Sequence, residues 1–330
     1  MTPFTYTTPE SIDEAVDKKA SDTRAKFIAG GTNILDLMKV NVERPDQLID
    51  IKDLPENTIT ENEEGGLRLG ALVTNADTAY NNLVEQRYPL LSMAILAGAS
   101  AQLRNMATDG GNLMQRTRCY YFYDVATPCN KREPGSGCSA IHGFNRIHAI
   151  LGASDKCIAT HPSDMCVALA ALDATVNVTG KAGQRSIPFG EFHRLPGETP
   201  HVDNTLQPDE IITSIDLPAK GFPTHYYYLK LRDRKSYAFA LVSVAAALEV
   251  EGDIIKEARI ALGGVAHKPW RNTEAEALLQ GKQAVRENFK QAADIIVAGA
   301  AGYKYNSFKI ELAKRAIVRA LEEAFAHSIA

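Results

Sequence analysis

Apolar and polar positions alternate first at the N-terminus. Phe4 and Tyr6 are separated by threonines, the period of a short strand, and Ala15 and Val16 mark the core face of a helix that follows. Thr8-Pro9-Glu10 predicts where that helix starts: a hydroxyl N-cap, proline at the first helical position and an acid near the positive helix end. Residues 25–29 predict a strand that Gly30-Gly31 cuts off, and Ile34, Leu35, Leu37 and Met38 then recur at helical spacing. A strand, a glycine pair and a helix start together expose backbone N–H groups to a phosphate. Residues 47–51 and 67–73 read as strands. Thr74 reads as the cap of a helix containing Ala76, Ala79 and Tyr80, and residues 90–98 as a buried helix.

A second glycine turn, Asp109-Gly110-Gly111-Asn112, opens a stretch, residues 114–156, that loses periodicity under Pro128, Pro134, Gly135 and Gly137. Order returns with a helix over 165–172 and strands over 174–179 and 211–217. Residues 218–223 read as a linker. Beyond it come strands over 226–231, 239–249 and 258–265, then helices over 273–279, 285–298 and 308–326, a tail that reads as a separate α+β domain. In the last helix Ala313, Ala316, Ile317, Ala320, Leu321 and Ala324 share one face.

Composition narrows the function classes. A net charge of -4 over 330 residues gives no support to nucleic-acid binding. No apolar run reaches the roughly 20 residues of a membrane helix. The N-terminus lacks the basic and apolar segments of a signal peptide, so the chain is expected in the cytoplasm or exported with a partner that carries the signal. The glycine turns lack both G-x-G-x-x-G spacing and a following Gly-Lys-Ser/Thr, so neither is a Rossmann fingerprint or a P-loop.

All five cysteines fall between Cys119 and Cys166, which points to a local metal or redox site. Cys119, Cys129, Cys138 and Cys157 are spaced C-x9-C, C-x8-C and C-x18-C, without the short C-x2-4-C pair usual in structural zinc sites. Iron–sulfur ligand spacing varies more widely. Buried free thiols are the third reading, and the residues alone leave all three open. Arg116, Arg118, Lys131 and Arg132 crowd the first two cysteines, either as cations tuning a cluster or as solubilising charge. Cys166, inside the helix after Asp164, is the spare thiol; His161 and Trp270 read as structural.

Three separated motifs resemble the FAD subunits of the xanthine dehydrogenase family of molybdenum hydroxylases. They are Phe27-Ile28-Ala29-Gly30-Gly31-Thr32-Asn33, the run from Leu103 through Asp109-Gly110-Gly111-Asn112 to Leu113, and Ala261-Leu262-Gly263-Gly264-Val265-Ala266. Within that family the cysteine insert is similar to those of the periplasmic aldehyde oxidoreductases and of 4-hydroxybenzoyl-CoA reductase, and closest to the aldehyde enzymes. The resemblance implies an α+β protein. A two-subdomain α/β FAD-binding domain of the PCMH type would cover 1–220, with subdomains about 1–54 and 55–220 and a [4Fe–4S] insert over 114–157. A CO dehydrogenase flavoprotein C-terminal-like α+β domain would cover 221–330.

It further implies that Lys26, Phe27, Ile28, Ala29, Gly30, Gly31, Thr32 and Asn33 wrap the FAD pyrophosphate, with Thr108, Gly111 and Asn112 as a second cradle. Asp164 would meet FAD hydroxyls or the ring edge, Ile212 the adenine side and Lys230 the isoalloxazine. Cys119, Cys129, Cys138 and Cys157 would hold a [4Fe–4S] cluster. No residue here would be catalytic toward the substrate. The implied partners are a molybdenum-cofactor subunit and a [2Fe–2S] subunit in a heterotrimer, with an acceptor left open. The implied place is the periplasm by co-export, with the cytoplasm as the alternative. Two rival functions, a self-contained flavin oxidase and a zinc-stabilised interaction module, fit the same residues less fully.

Overall fold

The structure is a computed structural model that describes residues 1–327; positions 328–330, the end of the expected C-terminal domain, lie outside the described residues. The first sheet is parallel, with β1 (Thr5–Thr7), β2 (Lys26–Ile28) and β3 (Gln47–Asp50) in the order β1-β3-β2. The helix Ile12–Ser21 crosses from β1 to β2 and buries Ala15 and Val16 as the pattern requires. It starts later than Thr8-Pro9 predicts. Ser11 is the N-cap and accepts from Glu14 N at 3.2 Å, while the Glu14 carboxylate reaches back to Glu10 N at 2.7 Å. This reciprocal Ser-x-x-Glu cap satisfies two helix-end donors, where a threonine alone would satisfy one.

The second sheet is antiparallel: β4 (Ile59–Glu61), β5 (Leu67–Gly70), β6 (Thr175–Gly180), β7 (Gly183–Pro188) and β8 (Ile211–Leu217), in the order β4-β5-β8-β6-β7. β7 is absent from the hydrophobic pattern because it is an edge strand in which Ile187 alone is buried. The third sheet, also antiparallel, contains β9 (His225–Leu231), β10 (Val242–Glu251), β11 (Ile254–Gly263) and β12 (Trp270–Arg271), in the order β12-β11-β10-β9.

The three predicted C-terminal helices form, as Thr273–Leu279, Arg286–Ile296 and Phe308–Ala326. The predicted apolar face of the last one is fully covered. Trp270 packs in the same core and donates from Nε1 to Ile296 O at 3.1 Å, the structural role expected of it.

The C-terminal α+β part is docked closely on the rest of the fold. Along β10, Val244, Ala246 and Leu248 pack on the C-terminal helices, while Ala245 and Ala247 join the core of the helices Pro89–Ala97 and Asp164–Ala171. A strand apolar on both faces must be covered on both, so the N-terminal part supplies one lid and the tail the other. The stretch expected as a linker is docked too: a Cβ on Gly221 would lie 1.7 Å from Arg87 O. Replacing the fully buried Ile317 by Ala is expected to cost about 2–5 kcal/mol and to lower the unfolding midpoint in calorimetry, whereas Arg319→Ala, on the exposed face, should leave it unchanged.

Candidate functional site

The first glycine turn is built without room for side chains. A Cβ on Gly30 would sit 1.7 Å from Met106 O, and Gly31 holds φ +70°. The turn is thus pressed against the backbone just ahead of Thr108, which brings the two predicted turns together. Among the described residues, the backbone N–H groups of Gly31, Thr32 and Asn33 donate to no acceptor in the chain. The Asn33 side chain accepts from Arg116 N at 2.9 Å through Oδ1, but its Nδ2 is buried without a partner. The buried Nδ2 is costly to leave unpaired; with the half-buried N–H groups of the turn it makes a set of converging donors suited to an anion. Lys26 lies at the start of β2, exposed, with Nζ 3.7 Å from Glu43. Phe27, Ile28 and Ala29 anchor the strand in the small cores beneath.

The second turn is helical. Asp109–Leu113 is a one-turn helix capped by Thr108, whose Oγ1 accepts from Gly111 N at 3.2 Å and whose carbonyl accepts from Asn112 N at 2.8 Å. Its donors are therefore already taken. The Asn112 side chain donates to Asn75 Oδ1 at 2.7 Å and accepts from Ser163 Oγ at 2.5 Å. That bond ties the turn to the start of the helix Asp164–Ala171, whose N-cap is Ser163 rather than Asp164. Beneath the turn, Asp109 is fully buried, held by Asn75 at 2.7 Å and Thr78 at 2.5 Å, and burial pushes its carboxyl up to about 7.

Asp164 is thereby free of capping duty. Its Oδ1 accepts from Tyr228 Oη at 2.7 Å, and its Oδ2 pairs with Lys230 Nζ at 2.7 Å, both side chains of the pair being under a tenth exposed. Tyr228 and Lys230 stand two apart on β9, on one face of the strand. That spacing is the signal by which Tyr228, absent from the sequence reading, was findable once Lys230 was in view. Lys230 also donates to Ala97 O at 3.0 Å. Beside the pair a cavity opens between the two parts of the chain, lined by Arg118, His161, Asp164, Phe239, Ser243 and Gly264 among others. Ile212 is set apart from this group, its side chain buried in the main core of β8.

The four cysteines named from the sequence line one cavity together with Phe122, Ala140 and Ala159. All are free thiols; Cys119, Cys129 and Cys157 are buried and Cys138 is half-buried. The loop around them is ordered rather than irregular. Cys129 and Cys138 face one another across an antiparallel bridge, and Asn130 Oδ1 gathers the N–H groups of Gly135 and Gly137 at 3.1 and 2.8 Å. Four thiolates around one zinc at about 2.3 Å would stand roughly 3.8 Å apart. Among the described residues these cysteines do not form such a tight group.

The ligand atoms of His161, Cys166 and His193 do lie within 4.8 Å of one another, but the two imidazole rings meet tilted by 52° at 4.2 Å between centroids. Two histidines holding one ion at about 2.1 Å each would stand about 5 Å apart. The trio is a packing contact, as expected of His161. Cys166 is the spare thiol, and burial pushes it up to about 12.

The basic residues beside the cysteines are held by partners rather than offered to solvent. Arg116 pairs with Glu43 at 2.7 Å and with Asp203 at 2.8 Å, Lys131 pairs with Asp203 and donates to Pro200 O at 2.8 Å, and Arg132 donates to the carbonyls of Tyr121 and Phe122 at 2.8 and 2.9 Å. Arg116 and Lys131 pin the insert to the rest of the fold, and Arg132 ties the insert to itself. Burial pushes Asp203 up, but Lys131 and Arg116 outweigh that and hold its carboxyl well below the usual range. Arg118 has no acidic partner; it lies over the Phe239 ring, 4.9 Å from the centroid. Asp203→Asn leaves the almost fully buried Lys131 without its counter-charge, an expected cost of about 3–5 kcal/mol. Hydrogen exchange of residues 114–157 should then accelerate while that of the helix Phe308–Ala326 stays slow.

Comparison with known proteins agrees with this architecture. Residues 2–220 match the FAD binding domain in molybdopterin dehydrogenase, and residues 226–324 match the CO dehydrogenase flavoprotein C-terminal domain. The chain is 51% identical to the aldehyde oxidoreductase FAD-binding subunit of Escherichia coli K12, over 99% of this chain and 100% of that one. It is 28% identical to the glyceraldehyde dehydrogenase medium chain of Sulfolobus acidocaldarius, over 85% of this chain and 82% of that one. Among solved structures, a chain of the carbon monoxide dehydrogenase of Hydrogenophaga pseudoflava superimposes with a TM-score of 0.77 at 26% identity, covering 99% of each chain. The chain belongs to the FAD-binding subunits of the xanthine dehydrogenase family of molybdenum hydroxylases.

Proposed function

We propose that this chain is the FAD- and [4Fe–4S]-carrying electron-transfer subunit of a molybdenum-dependent aldehyde oxidoreductase. A molybdenum-cofactor subunit would oxidise aldehyde to carboxylic acid, a [2Fe–2S] subunit would deliver the electrons to this chain, and an external acceptor would take them away. The observation that carries the reading is the pairing, in one chain, of a glycine turn with unsatisfied donors and a four-cysteine cavity whose insert is tied to that turn by the bond from Arg116 N to Asn33 Oδ1. The 51% identity to an aldehyde oxidoreductase subunit supports the substrate class.

The residues fit both groups. Lys26 through Asn33 would hold the pyrophosphate through the free N–H groups and Asn33 Nδ2. Thr108, Gly111 and Asn112 border that turn and keep it in place. Asp164 and Lys230 lie at the opening between the two parts of the chain, where the ring system would enter, and Ile212 on β8 would lie toward the adenine. Cys119, Cys129, Cys138 and Cys157 would hold the cluster. FAD, when bound, supplies the exchange between one-electron and two-electron transfer. The chain's own residues orient it, neutralise its phosphates and exclude water around the buried pair. No side chain here is assigned as acid or base toward the aldehyde.

We also propose that the chain reaches the periplasm folded, carried by a partner with an export signal, on the likeness of its cysteine insert to that of the periplasmic aldehyde enzymes. Fractionation of cells with and without the partner's signal tests this; an unaltered cytoplasmic location in both would sink it.

The cofactor assignment separates into two independent losses. The purified complex should carry one flavin and about four irons attributable to this chain. Cys129→Ser should remove that iron and its broad visible absorption while keeping the flavin. Gly30→Ala, which drives a methyl into Met106 O, should release the flavin while keeping the iron. Zinc in place of iron, with no flavin, would refute the assignment.

A further inference from the structure

One buried side chain touches the cysteine group from outside it. His148 is 1% exposed, and its Nε2 lies 3.1 Å from Cys119 Sγ. Its backbone N–H donates to Asn145 O at 3.1 Å. Its carbonyl accepts from Asn306 Nδ2 at 3.2 Å and from Lys309 Nζ at 2.8 Å. Tyr120 and Tyr121 flank the ring, each 6.5 Å away between centroids. Position and orientation of the imidazole are therefore fixed from several sides.

Lys309 is the more unusual partner. It is fully buried, makes its bonds to two carbonyls, those of His148 and of Gly264 (2.5 Å), and has no carboxylate partner. An ammonium in such a place is costly unless a negative charge lies nearby. Burial pushes Lys309 down to about 7, and the negative charge of a bound cluster would favour its charged form. Whatever its charge, the imidazole carries at least one proton. A thiolate bound to metal can only accept a hydrogen bond, so that proton belongs on Nε2, and Nδ1 is the nitrogen left without a partner.

We infer that His148 is a positioning residue that raises the reduction potential of the cluster held by Cys119, its Nε2–H donating to Cys119 Sγ while Lys309 fixes it from behind as a buried counter-charge. The inference rests on the [4Fe–4S] reading above. One-electron reduction takes the cluster with its four thiolates from about -2 to about -3 in formal charge. A hydrogen bond to sulfur and a nearby cation both stabilise the more negative state. Removing either shifts the potential downward.

The test is an EPR-monitored redox titration of the purified complex, with iron and flavin content measured alongside. His148→Leu should keep its iron and titrate at a lower potential than wild type. His148→Gln, whose amide N–H reaches the position of Nε2, should titrate close to wild type. Lys309→Met should shift in the same direction as His148→Leu. A wild-type potential in His148→Leu would overturn the inference. Equal shifts in the Leu and Gln variants, or loss of iron from both, would make His148 a packing residue and overturn it too. Wild-type complex without the four irons would instead remove the cluster reading itself, and the inference with it.

Discussion

The buried pair between Asp164 and Lys230 is the constraint on which the arrangement of the two parts depends. It joins the first residue of a helix in the flavin domain to a strand of the C-terminal sheet at 2.7 Å, with Tyr228 on the other carboxylate oxygen. A buried ion pair adds little net stability, since desolvation offsets its attraction, but it tolerates few alternative geometries. Here it fixes how β9 lies against the helix Asp164–Ala171, and so the width of the cavity between them. The apolar contacts of Ala245 and Ala247 supply adhesion without direction; the charged pair supplies the register.

The insert shows the same division of labour. Its apolar lining, with Phe122 and Ile158 among the cysteines, gives it a small dry core of its own. Its place in the molecule is set by charge, through Arg116 and Lys131 on Asp203. A long loop with many glycines and prolines would otherwise be free to take many shapes. Asn130 and the paired cysteine strands remove that freedom locally, and Asp203 removes it globally.

Much of this was legible in the sequence where the signal is local. The face of Ala313, Ile317 and Leu321, the strand before Gly30-Gly31 and the four grouped cysteines follow from periodicity, turn chemistry and clustering. What escaped depends on residues distant along the chain. Nothing near Asp203 announces that it neutralises Arg116, 87 positions away, and a run of cations beside cysteines does not announce which acids hold it. β7 escaped because an edge strand with one buried residue has no apolar alternation to detect. How the C-terminal domain docks escaped for a related reason: the apolar run of β10 announces that both faces are buried, but not that the second cover comes from the other end of the chain. Ser11 outcompeted Thr8 as a cap through Glu14, a pairing that was present in the sequence and carried more weight than proline.

The end of the chain closes over the cysteine cavity. Tyr303 packs against the cysteine group, and Lys309, one position into the last helix, reaches across to His148. The helix that follows is held by a large core of its own. Docking of that helix therefore does two things at once: it completes its own core and, through Lys309, holds the His148 carbonyl and with it the ring beside Cys119.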